Sequence, residues 1–234
     1  MKQRDHRPYH HGDLRRALLD AALQLTASRG RPDFTLREVA RQAGVTHNAP
    51  YNHFADKAEL VAALTVEGFQ RLEGALRSTY EQRAGTPLER TLAISGAYLR
   101  FAFDHPAAYS LLFRPELRQS SHHGKECDED VKSAATAAFQ VFLDGLAASQ
   151  RAGELRTDRS VEMLALAMWS TMHGLTELLL DHLLVENLDH LLVENKAVSA
   201  LEKAEQLMAQ VIQVMAQGLM VQLTTPASSL EVKR

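Results

Sequence analysis

The sequence predicts an all-α protein, with an N-terminal three-helix head followed by a helical bundle. Apolar residues recur three and four positions apart in the long segments, as they do on one face of a helix. No segment shows the two-residue alternation of a strand, and glycines and prolines separate the helical stretches. The composition of the 234 residues, 45% hydrophobic and 24% charged, is ordinary for a globular protein. We predict a head at 1–55, a bundle at 56–223 and a flexible tail at 224–234.

The first helix is predicted from about Asp13 to Ser28, and Gly30 ends it. Its apolar stripe consists of Leu14, Ala17, Leu18, Ala21, Ala22 and Leu25. The twelve residues before it are polar, and we expect them to be flexible.

A helix-turn-helix is predicted between Thr35 and Lys57. Thr35 and Glu38 form a capping box that opens one short helix, and Gly44 allows the sharp turn that follows it. Thr46 is expected to cap a second short helix, from about His47 to Phe54. Pro50 removes one backbone hydrogen bond from that helix, a loss that a local 3₁₀ turn can absorb.

The bundle is predicted from five further helices and a terminal one. They span about 56–80, 87–104, 106–113 and 130–151, then a stretch beginning near Ser160, and finally 197–223. Thr86 and Glu89 form a second capping box, and residues 114–128 are expected to be a loop. The segment LDHLLVEN occurs twice in succession, at 180–187 and 188–195, which indicates a short in-frame duplication. We expect the loop between the last two helices to absorb the extra copy.

The residues from Ala40 to Leu60 fit the pattern AxxAGVTxxxxYxHFxDKxxL, which resembles the signature of the TetR family of bacterial transcription regulators. Farther along, Trp169, His173 and Gly174 resemble the WHG motif of one class of C-terminal domain in that family. The resemblance implies a DNA-binding head and a body that binds a small-molecule inducer and dimerises. It also implies that the last two long helices of each subunit pair into a four-helix interface. The apolar residues that suit this seam are Leu201, Ala204, Leu207, Met208, Val211, Ile212, Met215 and Leu219.

Nine side chains of the head are candidates for contacts with double-stranded DNA. Hydroxyls and a lysine near helix starts suit phosphates, and these are Thr35, Thr46, Tyr51 and Lys57. Side chains that can pair with base edges are Arg37, His47, Asn48 and Asn52, with His53 on the same polar helix. A solvated helical face is the alternative for each of them. The basic residues among the first eleven either follow the DNA as an arm or form a disordered tail.

The resemblance to the TetR family also implies that the helices of the body enclose an inducer pocket, and apolar walls with a few polar groups suit small molecules. The candidate lining residues are Phe103, Tyr109, Phe113, Phe139, Met168, Trp169, Met172 and His173. For each residue taken alone, a place in the plain core of the bundle is the favoured alternative. Trp169 and His173 are the best candidates, since each adds a polar group to an apolar wall.

Charge and cysteine content support the same interpretation. Residues 1–60 hold 10 Lys and Arg against 7 Asp and Glu, whereas the remainder holds 16 against 22. A basic head on an acidic body suits phosphate binding by the head. The single Cys127 excludes an internal disulfide and fits a reducing cytoplasm, and no apolar run long enough for a membrane span is expected. His122, His123 and Cys127 lack the spacing of a zinc site, so no metal, cofactor or enzymatic activity is expected.

These observations predict a homodimeric repressor that binds a palindromic operator and is released by an inducer. A dimer is expected because one short recognition helix reads too few base pairs for specific binding. The alternative is a helical small-molecule-binding protein whose head does not bind an operator.

Overall fold

The computed structural model describes residues 11–118, 124–180 and 199–219. These residues form eight α-helices and two short 3₁₀ turns and contain no strand, which confirms the predicted fold class. The helices are α1 (His11–Arg29), α2 (Leu36–Gln42), α3 (Lys57–Gln82), α4 (Pro87–Asp104), α5 (Pro106–Leu112), α6 (Gly124–Arg151), α7 (Val161–Leu180) and α8 (Ala200–Leu219). The 3₁₀ turns are Ala49–Asn52 and Pro115–Leu117.

The chain forms two compact units. Unit 1 comprises the described residues up to Leu76 together with Arg100–Gln140, and unit 2 comprises Arg77–Leu99 and the described residues from Val141 onward. The predicted division at residue 55 remains a prediction. Of the duplicated LDHLLVEN only Leu180 is described, and the predicted tail at 224–234 also lies outside the described residues.

The core of unit 1 lies where α1, α2, the start of α3 and α5 meet. Its fully buried side chains include Leu18, Leu19, Ala22, Val39, Phe54, Leu60, Val61 and Leu111. Gly44 lies in the turn after α2 with a φ of +72°, which explains why glycine stands there. The short helices of the head are therefore fixed by one shared apolar core.

The capping box that opens α2 is confirmed. The Thr35 hydroxyl accepts from the Glu38 N–H at 3.2 Å, and the Glu38 carboxylate accepts from the Thr35 N–H at 2.8 Å. Arg29, at the end of α1, donates to the same carboxylate at 2.6 Å. The Arg29 guanidinium, followed by the Thr35 N–H and hydroxyl, lowers the pKa of Glu38 to about 2.

The second helix of the head is shorter than predicted. Instead of an α-helix over 47–54, the chain makes a 3₁₀ turn at Ala49–Asn52, called the recognition turn below. Its N–H groups bond three residues back: Ala49 to Thr46 at 3.0 Å and Tyr51 to Asn48 at 3.2 Å. Pro50 has no N–H to continue an α-helical ladder, which favours the tighter turn. The predicted hydroxyl cap by Thr46 was wrong, because only the Thr46 carbonyl takes part and no side chain caps the turn.

The predicted loop at 114–128 was also partly wrong. A 3₁₀ turn occupies Pro115–Leu117, and α6 begins at Gly124, six residues before the predicted start. Acidic residues such as Asp128 and Glu129 favour the start of a helix, because its N-terminus carries a partial positive charge. These polar residues show no apolar stripe, so periodicity alone missed the first turns.

Unit 2 packs the described parts of α4, α6, α7 and α8 around an apolar core. Its buried residues include Tyr98, Phe142, Leu146, Leu155, Leu164, Met168, Met172 and Met208. The second capping box is confirmed, since the Thr86 N–H donates to the Glu89 carboxylate at 2.9 Å. Among the described residues, α7 alone is long and apolar enough to cross a membrane, a property that core helices of bundles share.

The predicted dimer seam on α8 needs correction. Four of its residues are buried inside the single chain, namely Ala204, Leu207, Met208 and Ile212. Leu201, Val211 and Met215 are half-buried, and the Leu219 side chain is not described. Side chains that fill their own core cannot also form the surface that meets a partner.

The charge pair of Glu38 makes the stability of the head dependent on pH. Because the pKa of Glu38 falls from 4.5 to about 2 on folding, its contribution is complete above about pH 4.5 and lost as the pH falls toward 2. Glu38→Gln should therefore lower the midpoint of urea unfolding at neutral pH, with a difference from the parent that shrinks below about pH 4.5. The exposed Glu129→Gln is the control. A Glu38→Gln difference that is the same at both ends of this range would contradict the assignment.

Candidate DNA-binding surface and aromatic cluster

The head presents a polar surface on a buried frame. Leu36, Val39 and Ala40 bury one face of α2, and Val45 packs against the same core from the turn. Gln42 donates to Gln24 at 2.9 Å, which ties the end of α2 to α1. The opposite face of α2 and the recognition turn are therefore left to solvent in a fixed position.

Most of the predicted DNA-contact residues lie on this surface. The exposed ones are Thr35, Arg37, Thr46, His47, Asn48, Tyr51 and Asn52. Tyr51 has 51% of its surface exposed, although a large aromatic side chain is usually covered. His53 is only half-buried, and its ring lies 6.5 Å from that of Phe54. The hydroxyl of Thr35 is engaged in the cap of α2, so it is less available to a phosphate than its exposure suggests.

Lys57 differs from the other candidates because the head itself binds its ammonium group. Its Nζ donates to the Pro32 carbonyl at 2.9 Å and lies 4.8 Å from the centre of the Phe34 ring. These contacts fasten the start of α3 to the segment before α2. The sequence pattern marks Lys57 as a cation at the edge of the motif but does not show this internal role.

The exposed Arg41 was missed by the sequence analysis. It follows Arg37 by one turn of α2, and residues four apart lie on the same helical face. The spacing could have identified it. Arg41 therefore joins Arg37 as a candidate for DNA contact.

The aromatic cluster lies in unit 2 and centres on Trp169. Its ring meets those of Tyr98 and Phe142 edge to face, each at 5.5 Å between centroids. The Tyr98 oxygen lies 2.8 Å from His173 Nδ1 in a hydrogen bond. Tyr98 and Phe142 are fully buried, whereas Trp169 and His173 are half-buried. The cluster thus combines an apolar wall with two polar groups.

Burial keeps His173 largely uncharged. It lowers the pKa of His173 below its ordinary value, against an opposing effect of the nearby Glu177 carboxylate. An uncharged imidazole interacts with its surroundings by hydrogen bonding rather than by charge.

The other predicted pocket residues divide between the two units. Met168 and Met172 are fully buried in the core of unit 2. Phe103, Tyr109, Phe113 and Phe139 belong to unit 1. There, the Phe113 ring meets Tyr109 at 5.6 Å and Phe69 at 5.7 Å. The eight candidates therefore fall into two sets, one in each unit.

Among the described residues, no three His, Cys, Asp or Glu side chains come together as a metal site would require. His122 and His123 lie outside the described residues.

The all-helical fold and the exposed turn on a three-helix core define a helix-turn-helix protein. Residues 18–64 match a family model described as bacterial regulatory proteins, tetR family. Residues 91–195, which include Trp169 and Gly174, match one described as tetracyclin repressor-like, C-terminal domain. The chain belongs to the TetR family of transcription regulators, and its helix-turn-helix is that of a DNA-binding regulator.

Comparisons with individual proteins agree with this assignment. Over 61 residues the chain is 41% identical to the uncharacterized HTH-type transcriptional regulator TtgW of Pseudomonas putida, a match covering 26% of this chain and 46% of that protein. A Rhodococcus sp. RHA1 protein of unknown function is 27% identical, with a TM-score of 0.73 over 92% of this chain and all of that one. A tetR-family regulatory protein from Rhodococcus RHA1 has a TM-score of 0.62 at 19% identity, over 88% of this chain and 96% of that chain, which shows a shared fold.

Regulators of this family bind DNA as dimers and are in general not enzymes.

Proposed function

We propose that this protein is a homodimeric repressor, cytoplasmic and without enzymatic activity. It binds a palindromic operator through the recognition turn and is released by a small-molecule inducer. The observation that carries the proposal is the set of exposed polar side chains at 46–52, held on a buried frame. Contact with phosphates and base edges requires such exposed donors and acceptors on a surface of fixed position.

A dimer surface is available on α7. Met163, Leu166 and Leu178 are exposed large apolar residues, and at 100° per residue they share one helical face with Ser170 and Gly174. A side-chain carbon at Gly174 would meet no atom of the described residues within 4 Å. On α8, Val214 is 71% exposed and extends the apolar surface available to a partner. We place the dimer interface on this face of α7 and the exposed side of α8.

The inducer is proposed to bind beside Trp169 and His173. The described cluster offers one indole, one imidazole and the Tyr98 hydroxyl within an apolar wall. Small-molecule sites commonly combine these features. A ligand acts as an inducer only to the extent that it prefers the state that cannot bind DNA.

One alternative function is favoured by a specific observation. The recognition element is a single 3₁₀ turn, and Lys57 is bound within the head. The short recognition turn and the bound Lys57 are both compatible with a small-molecule-binding protein whose head does not bind DNA. The DNA experiment below separates the two functions.

Substitutions in the recognition turn test DNA binding. DNA sequences selected by the protein from a random pool serve as ligands in gel-shift titrations at several salt concentrations. Tyr51→Ala should weaken binding to all of them, whereas Asn48→Ala should relax preference at particular positions by ~1–3 kcal/mol. The exposed Gln213→Ala on α8 is the control. Failure to select any sequence supports the alternative function, whereas unchanged affinity in both variants would show that DNA is contacted by a surface other than the recognition turn.

Gly174 provides a test of the dimer surface. Gly174→Leu adds a large side chain on the α7 face, starting from a position where a Cβ meets no described atom within 4 Å, so the folded subunit should persist while the dimer dissociates. Sedimentation equilibrium and circular dichroism measure the two properties. Gly74→Leu is the control, because Gly74 is also helical and a Cβ there also meets no described atom within 4 Å. A Gly174→Leu protein that remains dimeric places the interface elsewhere.

Trp169, the single tryptophan, reports on the proposed inducer site. Compounds that release the protein from its selected DNA should change Trp169 fluorescence. Trp169→Phe keeps an aromatic ring against Tyr98 and Phe142, so operator affinity should stay within about twofold while inducer potency falls. Phe103→Leu in unit 1 is the comparison. Releasing compounds that leave the fluorescence unchanged and act equally on Trp169→Phe would exclude this site.

A further inference from the structure

Unit 1 contains a cavity of about 340 Å³ along one side of α3. α1 and α6 contribute to its walls, and Phe54, which follows the recognition turn, also lines it. The volume lies in the range of small-molecule sites. We call this cavity the α3 groove. It is distinct from the Trp169 cluster, which belongs to unit 2.

The floor of the α3 groove is apolar and made of small side chains. It includes three residues of α3, namely Ala62, Ala63 and Val66. Val66 follows Ala63 by three positions and Ala62 by four, a spacing that places them on one side of the helix. Two alanines on adjoining positions leave the space that larger aliphatic residues would fill. The groove can therefore cover the apolar part of a ligand.

The polar walls of the groove carry more acid than base. Glu59, Glu67 and Asp130 face it, against the single cation Arg15. Glu67 is already paired with Arg16 at 2.7 Å, and Glu59 accepts the Ala55 N–H at 2.6 Å.

Asp130 is the carboxylate that remains available. It is exposed, and its oxygens form no ion pair or hydrogen bond with any other described residue. Arg15, in contrast, is engaged, because its guanidinium lies 5.3 Å from the Phe54 ring centre and 3.9 Å from Glu67. The groove therefore offers an unpaired negative group but no comparably unpaired positive group.

We propose that the α3 groove binds a small organic cation, such as a protonated amine or a quaternary ammonium compound. The ammonium group lies at Asp130, and the apolar part lies against Ala62, Ala63 and Val66. A carboxylate beside an apolar floor matches an amphipathic cation in charge and polarity. This is a second ligand site, separate from the proposed inducer site.

The position of the groove connects it to DNA binding. Phe54 is 1% exposed and forms both a wall of the groove and the buried residue that follows the recognition turn. A ligand that moves Phe54 would also move the turn. This regulatory consequence, unlike binding itself, rests on the proposed function.

Cys127 gives a direct measurement of occupancy. It is the only cysteine of the chain, it is half-buried, and it lines the groove. Its alkylation by the neutral reagent N-ethylmaleimide is followed by mass spectrometry, with benzyltrimethylammonium as the probe and benzyl alcohol as its neutral counterpart. The cation should slow alkylation by about fivefold or more at saturation, and the alcohol should be much weaker. No protection by the cation, or equal protection by both compounds, overturns the proposal.

Substitutions show whether the protection arises in the groove. Asp130→Asn should raise the cation concentration needed for half-protection by about two- to fivefold, as expected for a partly exposed ion pair. Ala63→Leu should reduce protection by filling the floor. Glu129→Gln, the neighbouring exposed acid on α6, should leave it unchanged. Equal effects of Asp130→Asn and Glu129→Gln on the cation concentration for half-protection would contradict the site. Because Asp130 is exposed, the Asp130→Asn protein is expected to fold even if the Ala63→Leu protein does not.

The regulatory consequence has its own measurement. Benzyltrimethylammonium should change the affinity for selected DNA in the parent protein and act less on Asp130→Asn. Protection of Cys127 without any change in DNA affinity overturns the coupling while supporting the site. Absence of DNA binding even without the cation contradicts the proposed function and leaves the alkylation result to decide the site alone.

Discussion

The surface offered to DNA depends on the burial of the two residues that bracket the recognition turn. Pro50 and Phe54 are buried, whereas Tyr51 and Asn52 between them are exposed. A single 3₁₀ turn makes too few hydrogen bonds to hold its own shape in water. Its position is therefore set by the core beneath it, through Phe54, rather than by helical propensity. Arg15 above Phe54 and Lys57 above Phe34 extend this anchoring on either side.

In this arrangement the apolar core stabilises the head, and the surface residues are left for recognition. The ion pairs around the head, such as Arg29 with Glu38 and Arg16 with Asp20, lie at the surface, where such pairs contribute little each. The apolar side chains of α1, α2 and α3 supply most of the stabilisation. Polar residues of the turn can therefore be chosen for recognition at small cost to the fold.

The sequence predicted those features whose causes are local. Thr35 with Glu38 and Thr86 with Glu89 are capping boxes in the structure, because a cap involves residues only three apart. The start of α6 was missed because its polar first turns carry no periodic apolar signal. The role of Lys57 was also hidden, since a short pattern cannot tell a cation that faces a phosphate from one that faces the Pro32 carbonyl.

Of the aromatic cluster, the sequence identified Trp169 and His173 but not Tyr98 and Phe142. Tyr98 is 75 residues from His173 in the chain, and their hydrogen bond depends on the packing of unit 2. Neither the sequence of α4 nor that of α7 alone indicates that Tyr98 and His173 come together. The groove along α3 was likewise unforeseen, because an empty space between elements has no local pattern in the sequence.

The open position at Gly174 has a genetic consequence. On the proposed dimer, a large residue there blocks pairing with normal and altered subunits alike, because it would project into the proposed interface. Such an allele would be recessive, since normal subunits in the same cell would still pair among themselves. An altered Tyr51, by contrast, lies outside the pairing surface and would enter mixed dimers with one defective head. Loss of repression caused by an altered Tyr51 would then be dominant. Dominance or recessiveness of an allele would therefore distinguish a defect in DNA binding from a defect in dimerisation.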